Sequence, residues 1–268
     1  MEKRKTIFEH LDRAADYVRS LDYYPIFISL HGSQNYGLDI HTEEYQSDYD
    51  YKCVVLPNLR TLVENSKPVS MVYDFEGGHI DVKDIRIFID TVLKMNPSYL
   101  ECFFTPYAIR YGDEGKVFED IIAQIAPLLK ERGLLFAKAC YGMFMEKEKA
   151  MCHPYPTLVH KIEKWGYDGK QVHHMYRLLV MLREFESAGT MVLHPPEEEV
   201  QLLLDLKLNR YSLEQAKEMV EKWKDELNAI RGRLEEQYKI VKSDAANAVV
   251  KIARRAMYDY CCSENGRK

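Results

Sequence analysis

Apolar positions at Ile7, Leu11, Ala14, Ala15, Val18 and Leu21 recur at helical spacing and predict an amphipathic helix over 6–21. Two compact apolar runs follow, 25–31 and 47–56, and read as strands. Val69 to Phe75 and His79 to Val82 flank Gly77-Gly78, which predicts a hairpin with the glycine pair as its turn. Asp84 can cap a helix over 85–95. Asn96-Pro97 restarts one, with asparagine as the cap and proline in the first turn. Tyr107 to Tyr111 reads as a short strand. Beyond residue 113 the period becomes helical almost throughout, with helices expected over 115–130, 134–151, 157–166, 169–187, 197–208, 213–241 and 244–262. Ser212 and Gln215 form a capping box at the start of the long one. The pattern predicts an α+β protein. Residues 1–112 form a mixed sheet flanked by helices, and residues 113–268 form an all-helical domain.

Composition narrows the class. The 268 residues are 46% hydrophobic and 29% charged, as in ordinary globular chains. No apolar run approaches the ~20 residues of a membrane helix, and no apolar signal core follows the basic Met1-Glu2-Lys3-Arg4-Lys5. No membrane partner and a cytoplasmic location are therefore expected. The six cysteines lack Cys-x-x-Cys spacing, which argues against a zinc site or a disulfide framework. The net charge of −5 gives no global basic footprint for nucleic acid. The mildly basic stretch from Arg231 onward is either a local basic patch or, as the preferred reading, a solvated helix face.

The chemistry is concentrated near the N-terminus. His31-Gly32-Ser33 leaves the first strand, and Ser47-Asp48-Tyr49-Asp50-Tyr51 opens the second. On a strand, positions i and i+2 share a face, so Asp48 and Asp50 are expected to aim two carboxylates at one point. Paired carboxylates beside a Gly-Ser turn suit Mg²⁺, or Mn²⁺ in its place, together with a triphosphate. The glycine lets phosphate oxygens approach the backbone, and the serine hydroxyl and the following amides can bind them. Two-metal phosphoryl transfer usually calls on a third carboxylate. Ile80 and Val82 are expected to face the core, which turns Asp81 to the other side. Asp84 is its rival but falls where a helix cap is needed. In the helical half, Lys170, His174 and Arg177 stand at i, i+4 and i+7 on one helix face and can present three donors to phosphate. Glu101 is expected either to support the site from behind or to form an ion pair.

These residues resemble a known family. An apolar strand, Gly-Ser, a spacer, Asp-x-Asp and a later strand aspartate look like the DNA-polymerase-β nucleotidyltransferase superfamily. Within it the resemblance is to the nucleotidyltransferase group associated with bacterial and phage RNA repair. Supporting segments are Gly32-Ser33-Gln34-Asn35-Tyr36-Gly37-Leu38, Gln46-Ser47-Asp48-Tyr49-Asp50, Asn96-Pro97-Ser98-Tyr99-Leu100-Glu101, and Gly166-Tyr167-Asp168-Gly169-Lys170 leading to His174 and Arg177. The resemblance spans roughly residues 25 to 220. It implies that Gly32, Ser33, Lys170, His174 and Arg177 bind the nucleotide, and that Asp48, Asp50 and Asp81 are catalytic and hold the metals. It also implies that the helical domain closes the nucleotide cleft. Fourteen residues separate Ser33 from Asp48, a few more than the pattern usually has, so a longer polar loop is expected around 39–45. The expected reaction moves NMP from an NTP to an acceptor hydroxyl and releases pyrophosphate. The acceptor is an RNA end, a protein or a small molecule. Protein adenylyl transfer of the antitoxin type and a catalytically silent nucleotide-binding module are the alternatives.

Overall fold

The computed structural model describes residues 2–43, 45–238 and 242–267. In chain order the elements are α1 (Glu2–Ser20), β1 (Tyr24–His31), α2 (Ser33–Tyr36), β2 (Asp50–Leu56), α3 (Leu59–Val63), β3 (Ser70–Phe75), β4 (Gly78–Asp84), α4 (Ile85–Leu93), α5 (Pro97–Leu100) and β5 (Ala108–Arg110). The helical series follows: α6 (Val117–Ala150), α7 (Val159–Trp165), α8 (Gly169–Ala188), α9 (Glu197–Lys207), α10 (Leu213–Gln237), α11 (Asp244–Cys262) and α12 (Glu264–Arg267). The fold is α+β, as expected. The long helix α6 breaks at Arg132 (φ −123°, ψ 21°), where the sequence pattern predicts two helices. Residues 239–241, at the end of the expected 213–241 helix, lie outside the described residues.

The five strands form one mixed sheet in the order β3-β4-β2-β1-β5. β1 pairs antiparallel with both β2 and β5, β3 pairs antiparallel with β4, and β2 and β4 run parallel. One face is apolar and lies against α1. Ile7, Leu11, Ala14, Ala15 and Val18 meet Ile28, Leu30, Tyr51, Cys53, Val55, Ile80 and Val82 there, all buried. Removing a side chain such as Leu11 from this layer costs on the order of 2–5 kcal/mol. That layer fixes which residues of β2 and β4 face the other way.

Two local details differ from the sequence reading. The hairpin turn is Glu76-Gly77, both with positive φ (45° and 78°), and Gly78 is already in β4. A two-residue turn with positive φ at both positions matches the twist of an antiparallel pair. β2 begins at Asp50, so Ser47 to Tyr49 precede the strand. Asp84 caps α4 by accepting from the Arg86 amide at 2.8 Å.

The chain packs as two compact units, Met1–Glu131 with Lys242–Lys268, and Arg132–Val241. The 112/113 boundary expected from composition marks the end of the strands. The packing units divide the chain further on, because the start of α6 packs on the sheet through Phe118, and α11 returns to the same unit. Glu131 ties that return down, accepting from the Ser243 hydroxyl at 2.5 Å and the Ala245 amide at 3.1 Å. In the second unit Arg183 joins α8 to α10 and α9, with Glu226 at 2.6 and 2.7 Å and Glu199 at 3.0 Å.

Gly78 is where the sheet allows no side chain. A Cβ there would lie 1.8 Å from the Tyr49 carbonyl oxygen. Gly78→Ala should therefore push the 48–50 backbone away from β4 and destabilise the sheet-bearing unit by about 1–3 kcal/mol. Urea unfolding followed by circular dichroism checks this, and an unchanged midpoint would contradict the packing described.

Candidate active site

Strand register sorts the polar face of the sheet into rows. Across β1, β2, β4 and β3 the first row reads His31, Asp50, His79, Asp74. The second reads Ser29, Lys52, Asp81, Val72, and the third Phe27, Val54, Lys83, Ser70. The third row is covered on its apolar side, where Phe27 stacks on Phe118 of α6 with ring centroids 4.2 Å apart. The ionisable side chains therefore collect at the end of the sheet where β1 stops and β2 begins.

The first row holds the candidate metal site. Asp48, Asp50 and His79 each offer one ligand atom, and these atoms lie within 4.8 Å of one another. The His79 Nδ1 is 3.2 Å from Asp50 Oδ1, and its Nε2 is 3.5 Å from Asp74 Oδ1. Two carboxylates and an imidazole form a donor set that a divalent cation such as Mn²⁺ or Mg²⁺ can use. Asp48 and Asp50 thus converge, though not by strand alternation. A clasp does the work: the Ser47 amide donates to the Ile40 carbonyl and the Ile40 amide to the Ser47 hydroxyl, both at 2.9 Å. The clasp closes the 41–46 excursion at its base and delivers Asp48 to the strand mouth from a loop.

The Gly-Ser turn lies beside this group. Gly32 has φ +76°, and a Cβ on it would lie 3.2 Å from Asp50 Oδ2. That position needs glycine for both reasons. Ser33 is half-buried and opens α2, and Gly37 (φ 71°) closes it.

Asp81 sits one row further along. It faces away from the core, as alternation requires, and β4 does neighbour β2. Its register partner is Lys52, while that of Asp50 is His79. Asp81 Oδ1 is 2.8 Å from the Lys83 ammonium. Asp81 Oδ2 accepts from the Tyr99 hydroxyl at 2.8 Å and lies 3.5 Å from the Lys52 ammonium. Lys52 is buried, with its ammonium 4.3 Å from the centre of the Tyr99 ring. Burial, together with the Asp81 charge, pushes the Tyr99 phenol up, so it stays a donor. Glu101 is fully buried and pairs with His31. Sequence reasoning missed His79, Lys52 and Tyr99 as site residues. The alternation His79-Ile80-Asp81 could have flagged His79, but only the register makes it a neighbour of Asp50.

Lys170, His174 and Arg177 belong to the second unit, on α8, as the periodicity predicts. Lys170 and His174 are half-buried and Arg177 is buried. An Arg177 Nη2 lies 3.5 Å from His174 Nδ1. Burial and the Arg177 charge hold His174 well below the ordinary imidazole range. His173 points elsewhere and is structural: its Nδ1–H donates to the Leu203 carbonyl at 2.8 Å. Burial lowers it to about 3.

The mixed sheet thus carries a Gly-Ser turn and paired aspartates at one end. The chain belongs to the RNA repair pathway DNA polymerase beta family (RlaP), whose model matches residues 5–255. No curated protein matches the sequence. Among solved structures the chain is similar to a nucleotidyltransferase-like protein from Exiguobacterium sibiricum, at 10% identity and a TM-score of 0.31, over 94% of this chain and 89% of that one. Among the described residues no helix is long and apolar enough to cross a membrane.

His173 and His174 set a pH dependence for the second unit. Their folded values lie below the unfolded value of about 6.5, so their contribution is intact above pH 6.5 and is lost as pH falls toward the folded values. Each histidine contributes a slope of up to about 1.4 kcal/mol per pH unit. Both tryptophans, Trp165 and Trp223, lie in this unit, so their fluorescence reports its unfolding. The urea midpoint should drop between pH 6.5 and pH 4, and His173→Asn should flatten that drop. A midpoint that stays level over this range contradicts the burial described.

Proposed function

We propose that this protein is a divalent-metal-dependent nucleotidyltransferase that moves a nucleoside monophosphate from an NTP to an acceptor hydroxyl and releases pyrophosphate. The family description favours an RNA end as the acceptor. One observation carries the reading: two aspartates and an imidazole gather within 4.8 Å, beside a glycine that only a bare backbone allows, in a chain of this family. Asp48 and Asp50 would hold the metals, with His79 as a further ligand. Its nitrogen suits Mn²⁺ better than Mg²⁺, which prefers oxygen. Bound metal supplies charge for the attacking oxygen and for the departing pyrophosphate.

The chain's own side chains do the remaining work in this reading. Gly32 admits phosphate oxygens to the backbone, and Ser33 with the amides after it grips them. Asp81 is the third carboxylate, on the side of the attacking hydroxyl. Lys170, His174 and Arg177 form a set of phosphate-binding donors on α8 of the second unit, with His174 kept neutral.

Incubation with radiolabelled NTP, Mg²⁺ or Mn²⁺, and either RNA oligonucleotides or protein tests the reaction. Label should appear on RNA. Label on a protein band points to protein adenylylation, and NTP binding without product on any acceptor points to a silent module. Asp50→Ala should abolish transfer and weaken Mn²⁺ binding, read by electron paramagnetic resonance. Activity above about one per cent of wild type, a loss under ~2.7 kcal/mol, would remove Asp50 from the site. Lys170→Ala should raise KM for NTP while kcat holds, and an unchanged KM would exclude that residue.

A further inference from the structure

A single short segment, Asn96 to Thr105, braces the polar face of the sheet on both flanks of Asp50. Asn96 caps its first turn by accepting from the Ser98 amide at 3.0 Å, and Pro97 fixes the backbone that follows. α5 then runs into a 3₁₀ turn over Glu101–Phe103. On one flank the Tyr99 hydroxyl donates to Asp81 Oδ2, and its ring covers the Lys52 ammonium. On the other flank Glu101 pairs with His31, the last residue of β1 and the one bonded to Gly32. The Thr105 hydroxyl donates to Asn35 Oδ1 at 2.5 Å, which pins α2 from the same side. The cluster of Asp48, Asp50 and His79 is bracketed by these contacts and receives none of those just named.

We propose that Tyr99 and Glu101 are positioning residues for two separate parts of the site: Tyr99 aims the Asp81 carboxylate, and Glu101, acting through His31, sets the Gly32-Ser33 turn. The inference rests on the nucleotidyltransferase reading given above. Lys83 draws Asp81 toward the third row at 2.8 Å and is itself tethered to Ser70 at 2.7 Å. The Tyr99 hydroxyl is the neutral donor that opposes this pull. It also leaves Lys52 the weaker, 3.5 Å share of the same oxygen. Glu101 has no exposure, and a buried carboxyl group demands an oriented polar partner. Its grip on His31 is transmitted over one peptide bond to Gly32, whose missing side chain leaves Asp50 its room.

The two contacts serve different substrate groups, so their loss should split the kinetics. Tyr99→Phe keeps the ring that packs on Phe88 at 5.8 Å and removes only the hydroxyl. It should lower kcat about tenfold, the usual weight of a hydrogen bond to a charged group, with KM for NTP unchanged within about twofold. Glu101→Gln should weaken NTP binding about tenfold, measured by calorimetry with Mn²⁺ and a non-hydrolysable NTP, with a smaller effect on kcat. The double variant should lose the product of the two effects. Melting curves separate positioning from stability. Changes in kcat and KM that merely track a fall in Tm in both variants would overturn the proposal, as would wild-type kinetics in Tyr99→Phe. Should Glu101→Gln fail to fold, His31→Asn removes the same contact from its more exposed side. If the wild-type chain binds NTP but transfers it to nothing, the reaction assigned above fails. Weakened NTP binding in Glu101→Gln would still support the bracing role, and unchanged binding would reject it.

Discussion

The site depends on the parallel pairing of β2 with β4. That register sets Asp50 beside His79 and Lys52 beside Asp81, so residues 29 positions apart become side-chain neighbours. The pairing closes tightly at its mouth because Gly78 leaves space for the Tyr49 carbonyl. Tyr49 lies between the two aspartates, so a displaced Tyr49 would carry both carboxylates with it. A one-residue slip would be worse, since it would exchange polar and apolar faces along the whole strand. The apolar layer under α1 makes such a slip costly, because either Tyr51 and Cys53 or Ile80 and Val82 would leave that layer.

The polar face is arranged by charge as well as by register. Carboxylates and imidazoles alternate along the first row, and ammonium groups flank Asp81 in the next. Like charges therefore rarely face one another across the strands. Two aspartates at the mouth lack a lysine or arginine ion pair among the described residues, and there a cation would relieve their repulsion. Deeper in, the lysines already meet Asp81. The face thus grades from a mouth suited to metal, through an ion-paired middle, to an apolar end sealed by Phe118.

The second unit is built on a different balance. Arg183 gathers carboxylates from α9 and α10, while His173 spends its one donor on the Leu203 carbonyl. Lys161 with Asp168 and Lys224 with Glu148 add further ion pairs to that packing. On α8 the conspicuous departure is His174, held neutral next to Arg177. A neutral imidazole beside a guanidinium can accept a hydrogen bond or offer one without adding charge.

The elements were legible along the chain because their signals are local. Helical and alternating periods placed α1, β1, β4, α8 and α11 to within a few residues. Caps at Asp84, Asn96 and Ser212 were legible because capping is a contact over two or three residues. Local chemistry also singled out Gly32-Ser33, Asp48 and Asp50, and with them the family. Which of these residues meet was set by the folded packing. His79 joins the aspartates because β4 pairs with β2, a partnership between strands that no local pattern encodes. Asp48 arrives by a loop clasp at Ile40 and Ser47 instead of by strand alternation. Glu101 finds His31 at the end of β1, and α11 rejoins the sheet-bearing unit after 110 residues spent in the other. The pairings of His79 with Asp50 and of Glu101 with His31 link positions 29 and 70 residues apart, and only the folded strand order brings them together.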